Sequence, residues 1–160
     1  MTTRTLAWIV LLPVAVLIGF AAGRASAEVG IVAEAWSPDA RSALVVERRF
    51  AFGPADRRLV LRTPQGNVEL RALAADVEVP EMIWSPDGSL TGAVLGGVSL
   101  AVVDPSASRL LYELPLVEPA DGSRVARGVG FSANALAITF DDCPGRGAGC
   151  RPRFMALPTR

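Results

Sequence analysis

Trp-Ser-Pro-Asp occurs twice, as Trp36-Ser37-Pro38-Asp39 and Trp84-Ser85-Pro86-Asp87, with 48 residues from one tryptophan to the next. A worn copy, Phe131-Ser132-Ala133-Asn134, begins 47 residues after Trp84. Repetition at a nearly constant period constrains the fold more than any other feature of the chain. It means one supersecondary unit stacked several times, each unit relying on its neighbours to bury its apolar faces. In every copy an aromatic residue ends an apolar run and a turn follows. Proline presets φ for the turn, and Ser and Asp (with Gly88 in the second copy) bond back to nearby backbone groups. A second apolar run comes next, at residues 42–47, 90–95 and 135–140, rich in small and β-branched residues, as a strand buried on both faces requires.

The rest of each unit reads the same way. Gly96-Gly97 separates "AVL" from "VSLAVV", the signal of a two-residue hairpin, because its turn types need positive φ. Asp104-Pro105-Ser106 closes that third strand, and "RLLYELP" at 109–115 supplies a fourth. In the first unit "RLVLRT" (58–63), a turn at 64–67 and "VELRAL" (68–73) take the corresponding places. Four short antiparallel strands per unit form the meander of a propeller blade. The units run over about 32–78, 79–126 and 127–160, the last with three evident strands, within a repeat domain of residues 28–160.

The W-S-P-D-G turn, the "AV" strand, the hairpin and "VVD" at 102–104 together resemble the blade repeat of the TolB-like β-propeller family, related to WD-type repeats. The third copy departs from that pattern at Ala133 and Asn134. The resemblance implies an all-β fold of about three four-stranded antiparallel propeller-like blades, an incomplete β-propeller, and a role in envelope protein contacts. Closed propellers have four to eight blades, so three units leave two blade ends uncovered. Three arrangements answer that: a two-fold dimer completing a six-bladed ring, a partner protein, or a compact monomer. Trp36, Trp84 and Phe131 recur at the period and are expected to pack between blades.

Ahead of the repeats, residues 5–23 carry no charge, Arg4 precedes them, and Ala25-Ser26-Ala27 precedes Glu28. This is the pattern of a secretory signal cleaved between Ala27 and Glu28, leaving a periplasmic or secreted protein. The alternative is an uncleaved anchor, since residues 6–22 reach the lower length limit for crossing a bilayer, and membrane contact is expected through residues 1–27 alone. Without that segment the chain loses two arginines and no acid, giving a net charge of −2, and a nucleic-acid partner is not expected.

Chemistry is narrowed by what is missing. There is no histidine, which removes Ser-His-Asp and Cys-His catalysis and His-ligated zinc, and two cysteines are too few for a Cys-rich zinc site. No cofactor or metal site is expected. Cys143 and Cys150 are expected to pair and staple the tip of the last hairpin. Gly145, Gly147 and Gly149 lie in the same loop, with no helix pattern after them to make a phosphate cradle. Asp141 and Asp142 are adjacent on a strand and point to opposite faces. The arginine pairs at 48–49 and 57–58, flanked by Glu47 and Asp56, read as a solvated hairpin. Phe50, Phe52 and Pro54 form an apolar tip outside the repeat, a candidate partner contact. The resulting expectation is an exported, non-catalytic binding module with a protein partner or self-association at its blade ends. The alternatives are a propeller remnant of an envelope hydrolase whose catalytic residues lie on another chain, and a truncated paralogue.

Overall fold

A computed structural model describes residues 28–50, 56–118, 124–145 and 149–158. The leader with Ala27, and Phe52 and Pro54 of the apolar tip, lie outside the described residues, as do the side chains of Glu28 and Phe50. Three antiparallel sheets follow one another along the chain. Blade 1 contains β1 (Glu28–Trp36), β2 (Ala43–Phe50), β3 (Asp56–Thr63) and β4 (Gly66–Leu73), in that spatial order. Blade 2 contains β5 (Glu81–Trp84), β6 (Thr91–Leu95), β7 (Ser99–Asp104) and β8 (Arg109–Pro115). Blade 3 contains β9 (Arg124–Phe131), β10 (Ala137–Pro144) and β11 (Arg151–Ala156), with β10 in the middle. The architecture is an incomplete propeller.

The three repeat turns are built alike. In the first, Ser37 Oγ donates to Asp39 Oδ1 (2.6 Å) and accepts from the Ser42 amide (3.0 Å), while Asp39 Oδ1 also accepts from the Arg41 amide (3.1 Å). Ser85 and Asp87 repeat this at 2.7, 2.9 and 3.0 Å. Ser132 and Asn134 repeat it again at 2.7, 3.0 and 3.2 Å. The worn copy therefore keeps the turn, because an amide oxygen accepts where the carboxylate did, and Ala133 replaces a proline whose nitrogen donates nothing. The fourth turn residue has positive φ in each case: Ala40 56°, Gly88 70° and Ala135 54°. Only Gly88 adopts that conformation without strain. The Pro64-Gln65 turn is tighter than the sequence suggests, since Gly66 already pairs with Thr63 in the sheet.

The register decides which face of each blade meets which neighbour. Trp36, Trp84 and Phe131 pair with Ala43, Thr91 and Ile138. Stepping by two along the second strand puts Val45, Ala93 and Phe140, then Glu47, Leu95 and Asp142, on the face turned toward the preceding blade. The opposite face carries Leu44, Gly92 and Thr139, then Val46, Val94 and Asp141. Two cores result. Leu44, Val46, Leu59 and Leu73 of blade 1 pack with Ala93, Leu95 and Ala101 of blade 2. Leu90, Val94, Leu100 and Val102 of blade 2 pack with Ala126, Val129, Ile138 and Phe140 of blade 3. Leu44, Leu59, Leu100 and Ile138 are fully buried, each contributing about 1.5–3 kcal/mol.

Polar ties reinforce each junction. Trp84 Nε1 donates to the Ala35 carbonyl (2.9 Å), joining blade 2 to blade 1, and Arg71 of β4 pairs with Glu113 of β8. The Phe131 side chain has no N–H to repeat the first of these. At the second junction Glu81 does the work instead, its carboxylate accepting from the Gly128 and Val129 amides at 2.8 Å each. Gly97, at φ 71°, serves both its hairpin and the same junction. Its carbonyl accepts from the Ala126 amide (2.6 Å), and a Cβ there would lie 3.3 Å from Val125.

Candidate functional site

The face of blade 1 that would meet a preceding blade has no blade against it among the described residues. Its β1 rim is open and carries three apolar side chains, Val29 (43% exposed), Ile31 (49%) and Trp36 (56%), together with the exposed Glu34. The expectation that Trp36 packs between blades is therefore corrected. Trp84 and Phe131 are partly buried against the cores on either side of blade 2, whereas the equivalent place in front of Trp36 is open.

Inward of that rim lies a charged groove of about 390 Å³, lined by Val29, Glu47, Arg58, Val60, Arg62, Asn67 and Glu69. Glu47 is buried and receives three hydrogen bonds. Arg58 donates to Oε2 from Nε (3.0 Å) and Nη2 (2.7 Å), and Arg62 Nη2 donates to Oε1 (2.9 Å). Arg58 Nη1 also reaches Glu69 (3.0 Å). Burial pushes the Glu47 carboxyl up, but the bonds from Arg62 and Arg58 outweigh it and hold it below its ordinary range. The solvated-hairpin reading of this arginine cluster is thus corrected for Arg58. Cross-strand pairing of Glu47 with Arg58 sets the acid and the base side by side on one face.

A second groove, of about 580 Å³, opens where the chain passes from blade 2 to blade 3. Arg124, Arg151, Arg153, Asp142 and Phe140 line it together with residues 116–118. Asp142 is buried, and Arg124 Nε donates to its Oδ1 (2.6 Å) while Arg153 Nη2 approaches Oδ2 (3.5 Å). The bond from Arg124, opposed by burial and aided by both cationic charges, holds Asp142 below its usual value. Asp141 points to the other face and is exposed, so the two carboxylates do not converge.

Cys143 and Cys150 form a disulfide that closes the β10–β11 hairpin, with Cys143 buried. Asp39 and Asp87 sit in their turns, each held below the ordinary carboxylate range first by its serine hydroxyl. Sequence reasoning missed Glu47, Arg62, Glu81 and Arg124. One signal was available: Glu47 and Asp142 each stand 11 residues after the repeat aromatic, where blade 2 has Leu95. No group of three or more acidic or cysteine side chains suited to a metal occurs among the described residues.

No protein-family model and no curated protein matches the chain. Solved structures do. An oligogalacturonate lyase in complex with manganese superposes with a TM-score of 0.54 at 17% identity, over 83% of this chain and 36% of that one. Oligogalacturonate lyase from Vibrio parahaemolyticus gives 0.51 at 18% identity, over 81% of this chain and 36% of its own. The likeness is one of fold, and the chain spans little more than a third of either lyase. The expectation of a non-enzyme is overturned by this finding: chains that share the propeller fold are lyases. Absence of histidine excludes histidine chemistry only.

Proposed function

We propose that the chain is an exported interaction unit of TolB-like blades that docks a protein on the open face of blade 1. The observation that carries this reading is Trp36. It stands at the register where Trp84 is packed and hydrogen-bonded across a blade junction, yet it is 56% exposed. Exposed apolar side chains clustered at Val29, Ile31 and Trp36 are the kind of surface that a protein contact covers. The uncharged run over residues 5–23 followed by Ala25-Ser26-Ala27, and the disulfide, support export. The test is site-specific photo-cross-linking in the native envelope, with the probe in place of Ile31. Adducts from position 31 are expected. Absence of adducts from position 31 would refute the docking role.

The fold neighbours favour a second reading, a propeller segment that contributes to an enzyme of acidic carbohydrate. The groove formed by Arg124, Arg151 and Arg153 has the charge such a ligand needs. Titration with oligogalacturonate checks it: binding that Arg151→Ala weakens supports this reading, and no heat at about 1 mM ligand removes it.

A further inference from the structure

We propose that blade 3 takes its fourth strand from another polypeptide: an extended segment with a glutamate between apolar residues, added antiparallel along the outer edge of β11 so that its carboxylate meets Arg151. This site lies at the other end of the array from the blade 1 face and is independent of the docking reading above.

The two complete blades define what such a strand carries. In each the third strand is covered by a fourth, β4 on β3 and β8 on β7, whereas β11 holds the third place in its sheet and, among the described residues, pairs with β10 alone. The registers match position by position. Glu47, Leu95 and Asp142 pair with Arg58, Ser99 and Arg151 on the third strands, and Val45, Ala93 and Phe140 pair with Val60, Ala101 and Arg153. The fourth strands then set Glu69 opposite Val60 and Glu113 opposite Ala101. In both blades that glutamate accepts from the third-strand residue two positions earlier: Arg58 Nη1 donates to Glu69 (3.0 Å) and Ser99 Oγ to Glu113 (2.5 Å).

Arg151 is the corresponding donor in blade 3. It is exposed, and its side chain makes no hydrogen bond or ion pair among the described residues. Arg153 stands where Val60 and Ala101 are buried, yet it is exposed, and its one tie to Asp142 is long at 3.5 Å, which leaves most of its N–H donors uncommitted. The groove beneath is lined by three arginines against Asp142 and Glu118, so one further carboxylate balances it. An acid opposite Arg153 and within reach of Arg151 meets that need.

The backbone of β11 is set to receive a strand. The Leu157 amide bonds to the Leu136 carbonyl (2.8 Å), and facing pairs alternate along an antiparallel ladder. Residues 151, 153 and 155 therefore turn their backbone groups to β10, and 152, 154 and 156 turn theirs outward. Pro152, which has no N–H, occupies an outward place and costs the β10 ladder nothing. Phe154 and Ala156 each present a donor and an acceptor to an added strand. Arg153 and the incoming glutamate then face each other as a non-hydrogen-bonded pair, the kind whose side chains lie closer.

The full chain is titrated with a synthetic peptide of residues 66–73, GNVELRAL, a strand that already fills the fourth place in blade 1, up to about 1 mM. Saturable binding is expected, with slowed hydrogen exchange at the Phe154 and Ala156 amides. Glu69→Arg in the peptide and Arg151→Glu in the chain should each weaken binding about tenfold or more, and the two together should restore it, which also shows that the variant chain is folded. No binding at that concentration overturns the inference. So does binding that leaves both amides exchanging as before, because the peptide is then held by charge alone, as an acidic carbohydrate would be. Slow exchange of the two amides before peptide is added also overturns it: if independent of protein concentration it marks a segment of this chain on the edge, and if it grows with concentration, a second copy.

Discussion

Glu81 is the sole side-chain link by which β5 holds the backbone of β9 among the described hydrogen bonds, and removing it has a calculable cost. Its carboxylate accepts from the Gly128 and Val129 amides at 2.8 Å each. Hydrogen bonds to a charged group contribute about 1.5–3 kcal/mol each. The Gly128 amide is solvent-exposed and regains water when the acid is lost; the Val129 amide is partly buried and does so less well. Glu81→Ala is therefore expected to cost about 2–3 kcal/mol, below the sum of two full bonds. Glu81→Gln keeps one acceptor but turns an NH₂ toward the other donor, so about 1–2 kcal/mol is expected. For a chain of this length each kcal/mol lowers Tm by about 3–5 °C, so Glu81→Ala should melt about 6–15 °C lower. Urea unfolding gives the free energies, and hydrogen exchange locates the loss, which should concentrate in β9–β11 and spare β1–β4. A Glu81→Ala chain within about 0.5 kcal/mol of the parent would refute the reasoning, as would loosening spread evenly over the blades.

Three further outcomes are expected. Gly88→Ala should cost about 1 kcal/mol, because φ is 70° while a Cβ there meets only Pro38 at 3.8 Å; Ala40→Gly should gain about 0.5 kcal/mol, both read by chemical denaturation. Replacing Cys143 and Cys150 together by serine should cost about 2–3 kcal/mol by removing the short loop closure, with an unchanged far-ultraviolet spectrum. Glu47 and Asp142 titrate below their ordinary values of 4.5 and 3.8 in the folded chain, so their stabilisation is complete above those values and is lost as pH falls below them. Melting temperature should hold at neutral pH and fall through the acid range, less steeply in Glu47→Gln; a flat profile down to about pH 3 would contradict the ion pairs.

The repeat was legible because blades recur through local chemistry: an aromatic, a serine, a side-chain oxygen two residues later and a positive-φ residue after it. Even the degraded third copy satisfies those requirements, with Asn134 for the acid and Ala135 for the glycine. The polar ties were not legible, since each depends on register across strands distant in sequence. Glu47 meets Arg58 and Arg62 only once β2 and β3 are paired, and Glu81 reaches Gly128 only once two sheets are stacked. Trp36 was misjudged for the complementary reason. Periodicity reports which positions are equivalent, whereas burial depends on whether a neighbour is present, and among the described residues no blade packs in front of Trp36.

Tryptophan accessibility tests the central claim directly. In a Trp8→Phe background, Trp36→Phe leaves Trp84 as the single emitter, and Trp84→Phe leaves Trp36. Acrylamide quenching is then measured on dilute protein. Strong quenching of Trp36 beside weak quenching of Trp84 is the predicted result. Equal quenching of the two tryptophans in dilute protein would contradict three stacked blades with an open first face.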